Sequence, residues 1–111
     1  MTYLQWLVAA VENGIVDGEA SAQLKAAALA YRDAYLHAEE GDDAPAAAAM
    51  QRWKTIFSSF YEVTEDDTAE IGGIKWRLSR WKDYGVEPWF ETDSHDPLAV
   101  RVRARARAVY Y

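Results

Sequence analysis

The sequence predicts an α+β fold, with about four helices followed by a C-terminal antiparallel β-hairpin packed on them. Apolar residues recur at helical spacing between capping residues through about residue 84. Near the end of the chain, apolar residues alternate with arginines, which is the period of a strand. The chain has 111 residues, half of them hydrophobic, with five Trp, seven Tyr and three Phe. That supply is enough for the core of one domain spanning residues 1–111.

The first helix is predicted over about 3–13, where Thr2 can cap its start and Gly14 can end it. It is apolar on nearly every side, with Trp6 on the less hydrophobic one. A helix of this kind is buried in its own domain or against a partner. If Trp6 is exposed on the domain, it favours self-association, and if it is buried, it belongs to the core.

The second helix is predicted over about 18–40 and the third over about 44–61. Asp17 precedes the second helix as a cap. Asp43 caps the third, and Pro45 falls in its first turn, where a missing N–H is harmless. The third helix then carries large side chains at core spacing: Met50, Trp53, Phe57 and Phe60.

The fourth helix is predicted over about 65–84. Thr64 is a hydroxyl cap followed by three acids, which the helix dipole favours in a first turn. Four apolar side chains follow at helical spacing: Ile71, Ile74, Leu78 and Trp81. The pair Gly72-Gly73 opposes a helix, at roughly 1 kcal/mol per glycine relative to alanine. In the alternative, Ile74, Trp76 and Leu78 share one face of a strand. The helix is favoured because cap, dipole and periodicity agree.

The hairpin is predicted from strands over about 86–93 and 99–109. On a strand, four arginines fall on one face: Arg101, Arg103, Arg105 and Arg107. One antiparallel register sets Glu91 against Arg101 and Glu87 against Arg105, with Trp89 opposite Arg103. Arg107 stays free in that register. The row is therefore either paired within the fold or part of an exposed edge that adds to another protein's sheet.

The sequence offers no catalytic, cofactor-binding or metal-binding residues. It has no cysteine, which excludes disulfides and thiolate metal sites. Asp93-Ser94-His95-Asp96 holds the residue types of a hydrolase triad, but neighbours along a chain point apart, so a turn is predicted there. Gly72-Gly73 lacks the spacing and the lysine of a phosphate loop. A non-enzymatic protein without a cofactor is expected.

The leading hypothesis is a small protein-binding or assembly module that uses its C-terminal strand and an exposed tryptophan. Trp and Arg are enriched among the residues that dominate interface energies. Another protein is the expected partner, and a homo-oligomer is a further expectation. The predicted contact residues are Trp76, Arg80, Arg107, Tyr110 and Tyr111.

Charge supports a second hypothesis. The formal net charge is −6, and the last twelve residues hold four arginines and no acid, so residues 1–99 carry −10. By analogy of size and charge, the protein resembles acidic phage-type inhibitors of the anti-restriction or anti-CRISPR class, which block the nucleic-acid site of a basic protein. The acidic surface would comprise Glu39, Glu40, Asp42, Asp43, Glu65, Asp66 and Asp67. A third hypothesis, local nucleic-acid binding by the arginine row, is disfavoured by the acidic body.

The apolar run from Leu7 to Val11 bears on the cellular compartment. It has no basic flank and is far too short to span a bilayer. No membrane partner and a cytoplasmic location are therefore expected.

Overall fold

A computed structural model describes residues 1–109 of the chain. It contains four helices and a three-stranded antiparallel sheet, which confirms the α+β class. The strands precede the last helix, so the predicted C-terminal hairpin is wrong. The elements are α1 (Tyr3–Glu12), α2 (Gly18–Leu36), α3 (Ala44–Phe60), β1 (Thr68–Ile71), β2 (Ile74–Ser79), β3 (Trp89–Glu91) and α4 (Pro97–Arg107).

The first three helices begin where the sequence predicts, but the predicted capping role of Asp43 is wrong, because its side chain makes no hydrogen bond at the start of α3. Thr2 and Gln5 form a reciprocal capping box at the start of α1. Asp17 accepts a hydrogen bond from the backbone N–H of Ala20 at the start of α2. Helix α2 ends at Leu36 rather than near residue 40, and the chain then turns back around Gly41, which has a φ of +83°. Over the described residues 1–109, no helix has both the length and the apolar character needed to cross a membrane.

The predicted helix over 65–84 is wrong, because β1 and β2 form a hairpin there. Gly72 and Gly73 have φ values of +65° and +75°, and a two-residue type I′ turn requires both to be positive. Buried and exposed side chains alternate along β2, as the alternative interpretation had it. The Thr64 hydroxyl hydrogen-bonds to the Thr68 hydroxyl at 2.8 Å instead of capping a helix.

The predicted strand over 99–109 is also wrong, because this segment is α4. The Asp96 carboxylate accepts from the Leu98 N–H at 2.8 Å, and a proline follows in the first turn. Three side chains at helical spacing are buried: Ala99, Val102 and Ala106. Alanine and arginine are both strong helix formers, and two arginines in the last turn complement the helix dipole.

Strand β3 lies within the predicted strand over 86–93 but has different partners. It pairs with β2, so Glu91 lies opposite Arg77 rather than Arg101. Its other edge is covered by the start of the chain, where Phe90 N–H donates to the Met1 carbonyl at 2.7 Å. The proposed strand edge formed by the C-terminal tail therefore does not exist over the described residues. Tyr110 and Tyr111 lie outside them.

The core is an aromatic cluster between α1, α3 and the sheet. The rings of Tyr3 and Trp53 stack with centroids 3.7 Å apart. Trp6 is fully buried, and its ring centroid lies 4.6 Å from that of Phe90 and 5.9 Å from that of Trp76. The burial of Trp6 explains why α1 is apolar on nearly all sides, and it removes this residue as evidence for self-association.

The half-buried carboxylate of Glu87, which lies beside the start of α1, should make the stability of the fold depend on pH. Glu87 accepts a hydrogen bond from the Leu4 N–H at 3.1 Å. Burial raises the pKa of Glu87 above 4.5, and the hydrogen bonds from Leu4 and Thr2 oppose that rise. A raised folded-state pKa stabilises the fold below pH ~4.5, and this contribution is lost as the pH rises through the folded-state pKa.

We therefore expect Glu87→Gln to gain stability relative to the native protein as the pH rises from about 4 to about 7. Urea denaturation at several pH values measures the difference in unfolding free energy. Glu70→Gln, at an exposed position of β1, controls for the loss of one negative charge. A difference that stays constant or narrows with rising pH would contradict the prediction.

Candidate functional site

A polar cavity of about 480 Å³ lies between β3 and α4. We call it the arginine cleft, because it is lined by Arg77 of β2 and by Arg103 and Arg107 of α4. Its remaining walls are Met1, Gln5 and the segment 89–93. The turn of the chain before α4 folds this helix back against α1. The cleft that remains between α4 and β3 brings the three guanidinium groups together.

Helical spacing places Arg103 and Arg107 on the same side of α4, one turn apart. The Arg103 guanidinium is held in place, since it donates to the Thr92 carbonyl at 3.2 Å and to the Ser94 carbonyl at 3.0 Å. Both acceptors are neutral groups, so these hydrogen bonds fix the position of the cation without cancelling its charge. Arg107 is exposed at the rim.

Two carboxylates at the cleft are engaged by Arg77. Its guanidinium forms an ion pair with Asp93 and a second one with Glu91 at 3.5 Å. The hydrogen bond and charge of Arg77, with smaller contributions from Arg103 and His95, lower the pKa of Asp93. Arg77 is therefore fully compensated by Glu91 and Asp93. Three guanidinium groups and two carboxylates line the cleft, so its side chains carry a net charge of +1, which Arg103 and Arg107 contribute.

Trp89 forms an aromatic wall beside these cations. Its side chain is 44% exposed, and its indole N–H donates to the Glu91 carboxylate at 2.7 Å, which fixes the ring orientation. The site thus combines guanidinium forks with an accessible aromatic surface. Guanidinium groups bind carboxylates and phosphates through paired hydrogen bonds. The cleft can hold an anionic group whose neighbour is apolar.

The predicted contact residues do not form one surface. Trp76 is fully buried and donates from its indole N–H to the Ile71 carbonyl at 3.3 Å, so its prediction as an exposed contact residue is wrong. Arg80 is exposed after β2, in a turn with a φ of +65°, and does not line the cleft. Arg107 lines the cleft. Tyr110 and Tyr111 are beyond the residues that the structure describes.

The predicted acidic surface divides into two sets at opposite ends of α3. Glu39, Glu40, Asp42 and Asp43 precede this helix and are exposed. Glu65, Asp66 and Asp67 follow it, and Asp67 is partly buried with its carboxylate 3.5 Å from the Lys82 ammonium. A helix of 17 residues is roughly 25 Å long. The seven acids are therefore separate loop features and not one continuous face.

The arginine row is likewise divided, because a helix directs its members to different sides. Arg105 is ion-paired with Glu12 of α1, and Arg103 is bonded to the segment before α4. The hydrogen bond from Arg105 is the main reason that the pKa of Glu12 is lowered. A straight row of four cations along one face, which the nucleic-acid hypothesis requires, is absent from α4.

Sequence reasoning did not assign Arg77, Arg103 and Trp89 to one binding site, and it set Trp89 opposite Arg103 only as a cross-strand pair of a hairpin that the structure lacks. The signal that could have placed Arg103 beside Arg107 is Asp96-Pro97, a helix start that puts these residues one turn apart. Nothing local could have placed Arg77 beside them.

Within the described part of the chain, no group of three or more His, Cys, Asp or Glu side chains is arranged to hold a metal ion.

Comparisons with known proteins do not assign the site. A scan of protein-family models, a search of curated proteins and a search of solved structures found no significant match.

Proposed function

We propose that this protein is a non-enzymatic protein-binding module whose arginine cleft takes an acidic segment of a partner protein. The observation that carries the proposal is the position of Arg103 and Arg107 beside the exposed ring of Trp89. This cationic site lies on a chain with a formal net charge of −6. Its local charge is thus opposite in sign to that of the whole molecule, which favours an anionic partner at this place.

The spacing of the two arginines on α4 supports an anion between them. Like charges one helical turn apart destabilise a helix by about 0.2–0.5 kcal/mol. A carboxylate bound between Arg103 and Arg107 converts that repulsion into two attractions. Because the Arg103 guanidinium is already held by two backbone carbonyls, binding needs little further ordering of its side chain.

A peptide suits this site better than a nucleic acid. The phosphate backbone requires several cations along one line, and the α4 arginines point to different sides. A segment with one or two carboxylates and a neighbouring apolar side chain can satisfy the arginines and cover Trp89 together.

We predict that Arg107→Glu weakens binding of an acidic peptide by about tenfold to thirtyfold, the size of an interface hot spot. The probe is a short peptide of alternating Glu and Phe, titrated into ¹⁵N-labelled protein while the indole N–H resonance of Trp89 is followed. A peptide with Gln in place of Glu tests the need for carboxylates. Arg101→Glu is the matched control, because Arg101 is an exposed arginine of α4 that does not line the cleft.

Equal affinity of the native protein and Arg107→Glu for the acidic peptide would remove the cleft as the binding site. Equal binding of the Gln peptide would show that the arginines do not select carboxylates. Tighter binding of a single-stranded oligonucleotide than of the acidic peptide, at matched salt, would replace the proposed partner class with nucleic acid.

A further inference from the structure

One guanidinium group of the arginine cleft already holds a carboxylate that belongs to the chain itself. Arg77 donates to both oxygens of Asp93: its Nη1 pairs with Oδ2, and its Nη2 lies 3.3 Å from Oδ1. This is the paired geometry in which a guanidinium group binds a carboxylate ligand. The fork of Arg77 therefore has the shape of a carboxylate subsite, and the Asp93 side chain fills it.

Asp93 is the more easily displaced of the two carboxylates on Arg77. Its side chain is 85% exposed and lies beyond the end of β3, whereas Glu91 is 48% exposed and belongs to that strand. Glu91 also accepts from the Trp89 indole N–H at 2.7 Å and lies opposite Arg77 in the sheet register. Exposed ion pairs contribute little to stability, so the exchange of Asp93 for another carboxylate on Arg77 costs little.

A released Asp93 side chain has space to move without entering the core. A second polar cavity, of about 600 Å³, adjoins the arginine cleft, and both cavities are lined by Arg77, Thr92 and Asp93. The exposed Lys75 of β2 also lines the second cavity and offers a positive charge to a released carboxylate. The Arg77–Asp93 pair therefore lies at the boundary between two open spaces.

We propose that the Arg77 fork is a second carboxylate subsite of the arginine cleft, which Asp93 fills until an acidic partner segment displaces it. The inference rests on the proposed function, since the same segment must also bind between Arg103 and Arg107. The partner segment then carries two carboxylates, one for that arginine pair and one for Arg77. A segment with a single carboxylate leaves Asp93 in place. Asp93 thus competes with the second carboxylate of the partner.

Asp93→Asn tests the proposal, because it removes the competing charge and keeps the size of the side chain. The probes are two peptides with blocked termini: the peptide of alternating Glu and Phe, and the same peptide with all but one Glu replaced by Gln. We expect Asp93→Asn to bind the alternating peptide about three- to tenfold more tightly than the native protein does. Its affinity for the single-Glu peptide should rise by less than about twofold.

Glu40→Gln is the matched control for the change in net charge. Glu40 is exposed in the loop between α2 and α3 and does not line the cleft. This variant should bind both peptides as the native protein does, because exposed charges more than about 10 Å apart are largely screened at moderate salt.

A double-mutant cycle with Arg77→Gln tests whether the gain in affinity comes through Arg77. The second subsite is absent in the Arg77→Gln background, so Asp93→Asn should change the affinity for the alternating peptide by about twofold or less there. Equal gains in the two backgrounds would show a general effect of charge and would overturn the inference. Both side chains are exposed, so we expect the variants to fold, and far-UV circular dichroism measures this.

The outcomes separate this inference from the proposed function. The second subsite alone is excluded if Arg107→Glu weakens binding of the alternating peptide but Asp93→Asn does not strengthen it. An equal gain for the single-Glu peptide would also exclude it. The proposed function fails, and this inference with it, if neither the native protein nor Asp93→Asn binds either peptide. Binding of the alternating peptide by Asp93→Asn alone would support the competition.

Discussion

Replacing Trp76 with alanine should lower the free energy of unfolding by about 3–5 kcal/mol, the usual cost of removing a buried tryptophan. Trp76 is fully buried on the inner face of β2, and its ring centroid lies 5.9 Å from that of Trp6. Its indole N–H also donates to the Ile71 carbonyl at 3.3 Å. The alanine variant loses both contacts and leaves a cavity. Guanidinium denaturation followed by far-UV circular dichroism measures the loss.

The matched control is Trp89→Ala, because Trp89 is on the neighbouring strand and is 44% exposed. We expect this change to cost about 1 kcal/mol or less in stability. Trp76, which the sequence predicted as an exposed contact residue, is therefore a core residue, and Trp89 on the neighbouring strand keeps an accessible ring. A small and equal loss of stability for both variants would show instead that Trp76 is not a core residue.

The first three helices could be predicted because their signals are local. Thr2 and Asp17 cap helices through hydrogen bonds to backbone groups within three residues, so their effect is independent of the rest of the fold. Pro45 likewise acts within its own turn. The end of α2 was harder to place, since the turn around Gly41 competes with continued helix and the helical pattern has no sharp stop.

The prediction of a helix over 65–84 was wrong because both the helical period and the strand period fit the apolar side chains there. Ile71, Ile74 and Leu78 match helical spacing, and Ile74, Trp76 and Leu78 match strand spacing. The glycine pair decides between them, because it costs a helix roughly 2 kcal/mol in total and supplies the two positive φ angles that a tight hairpin needs. The backbone conformation that Gly72-Gly73 allows is a stronger signal for a hairpin than the Thr64 cap is for a helix.

The prediction of a C-terminal strand over 99–109 was wrong for a related reason. Alternation of arginine and small apolar residues is a strand pattern only if the small residues need burial as a row. In α4 just three of the small residues are buried, at helical spacing, and alanine tolerates exposure at little cost. The arginine cleft then depends on tertiary placement, because Arg77 belongs to β2 and meets α4 only once the sheet has formed. No local pattern carries that information.

A second large effect on stability is expected at Gly85, which precedes β3. This glycine has a φ of +67°, and an added Cβ would lie 2.7 Å from Cβ of Ala47 and 3.2 Å from its Cα. Gly85→Ala should therefore lower the unfolding free energy by about 2–5 kcal/mol. Of this, about 1–2 kcal/mol comes from the left-handed backbone and about 1–3 kcal/mol from the forced separation of α3 from the loop.

Gly73→Ala separates the two contributions, because Gly73 has a similar φ of +75° and nothing lies within 4 Å of its added Cβ. Its expected cost is the backbone contribution of about 1–2 kcal/mol. In the Gly85→Ala background, Ala47→Gly should recover part of the steric cost, and the coupling energy of this double-mutant cycle measures it. Equal losses for Gly85→Ala and Gly73→Ala would show that the close approach to Ala47 is not present.

Lys54 of α3 also donates to the Asp83 carbonyl at 2.7 Å. If Gly85→Ala separates α3 from the loop, this hydrogen bond is lost, and the loop that positions Trp89 at the cleft should loosen. Gly85→Ala is therefore expected to weaken acidic-peptide binding as well, whereas Gly73→Ala leaves it unchanged.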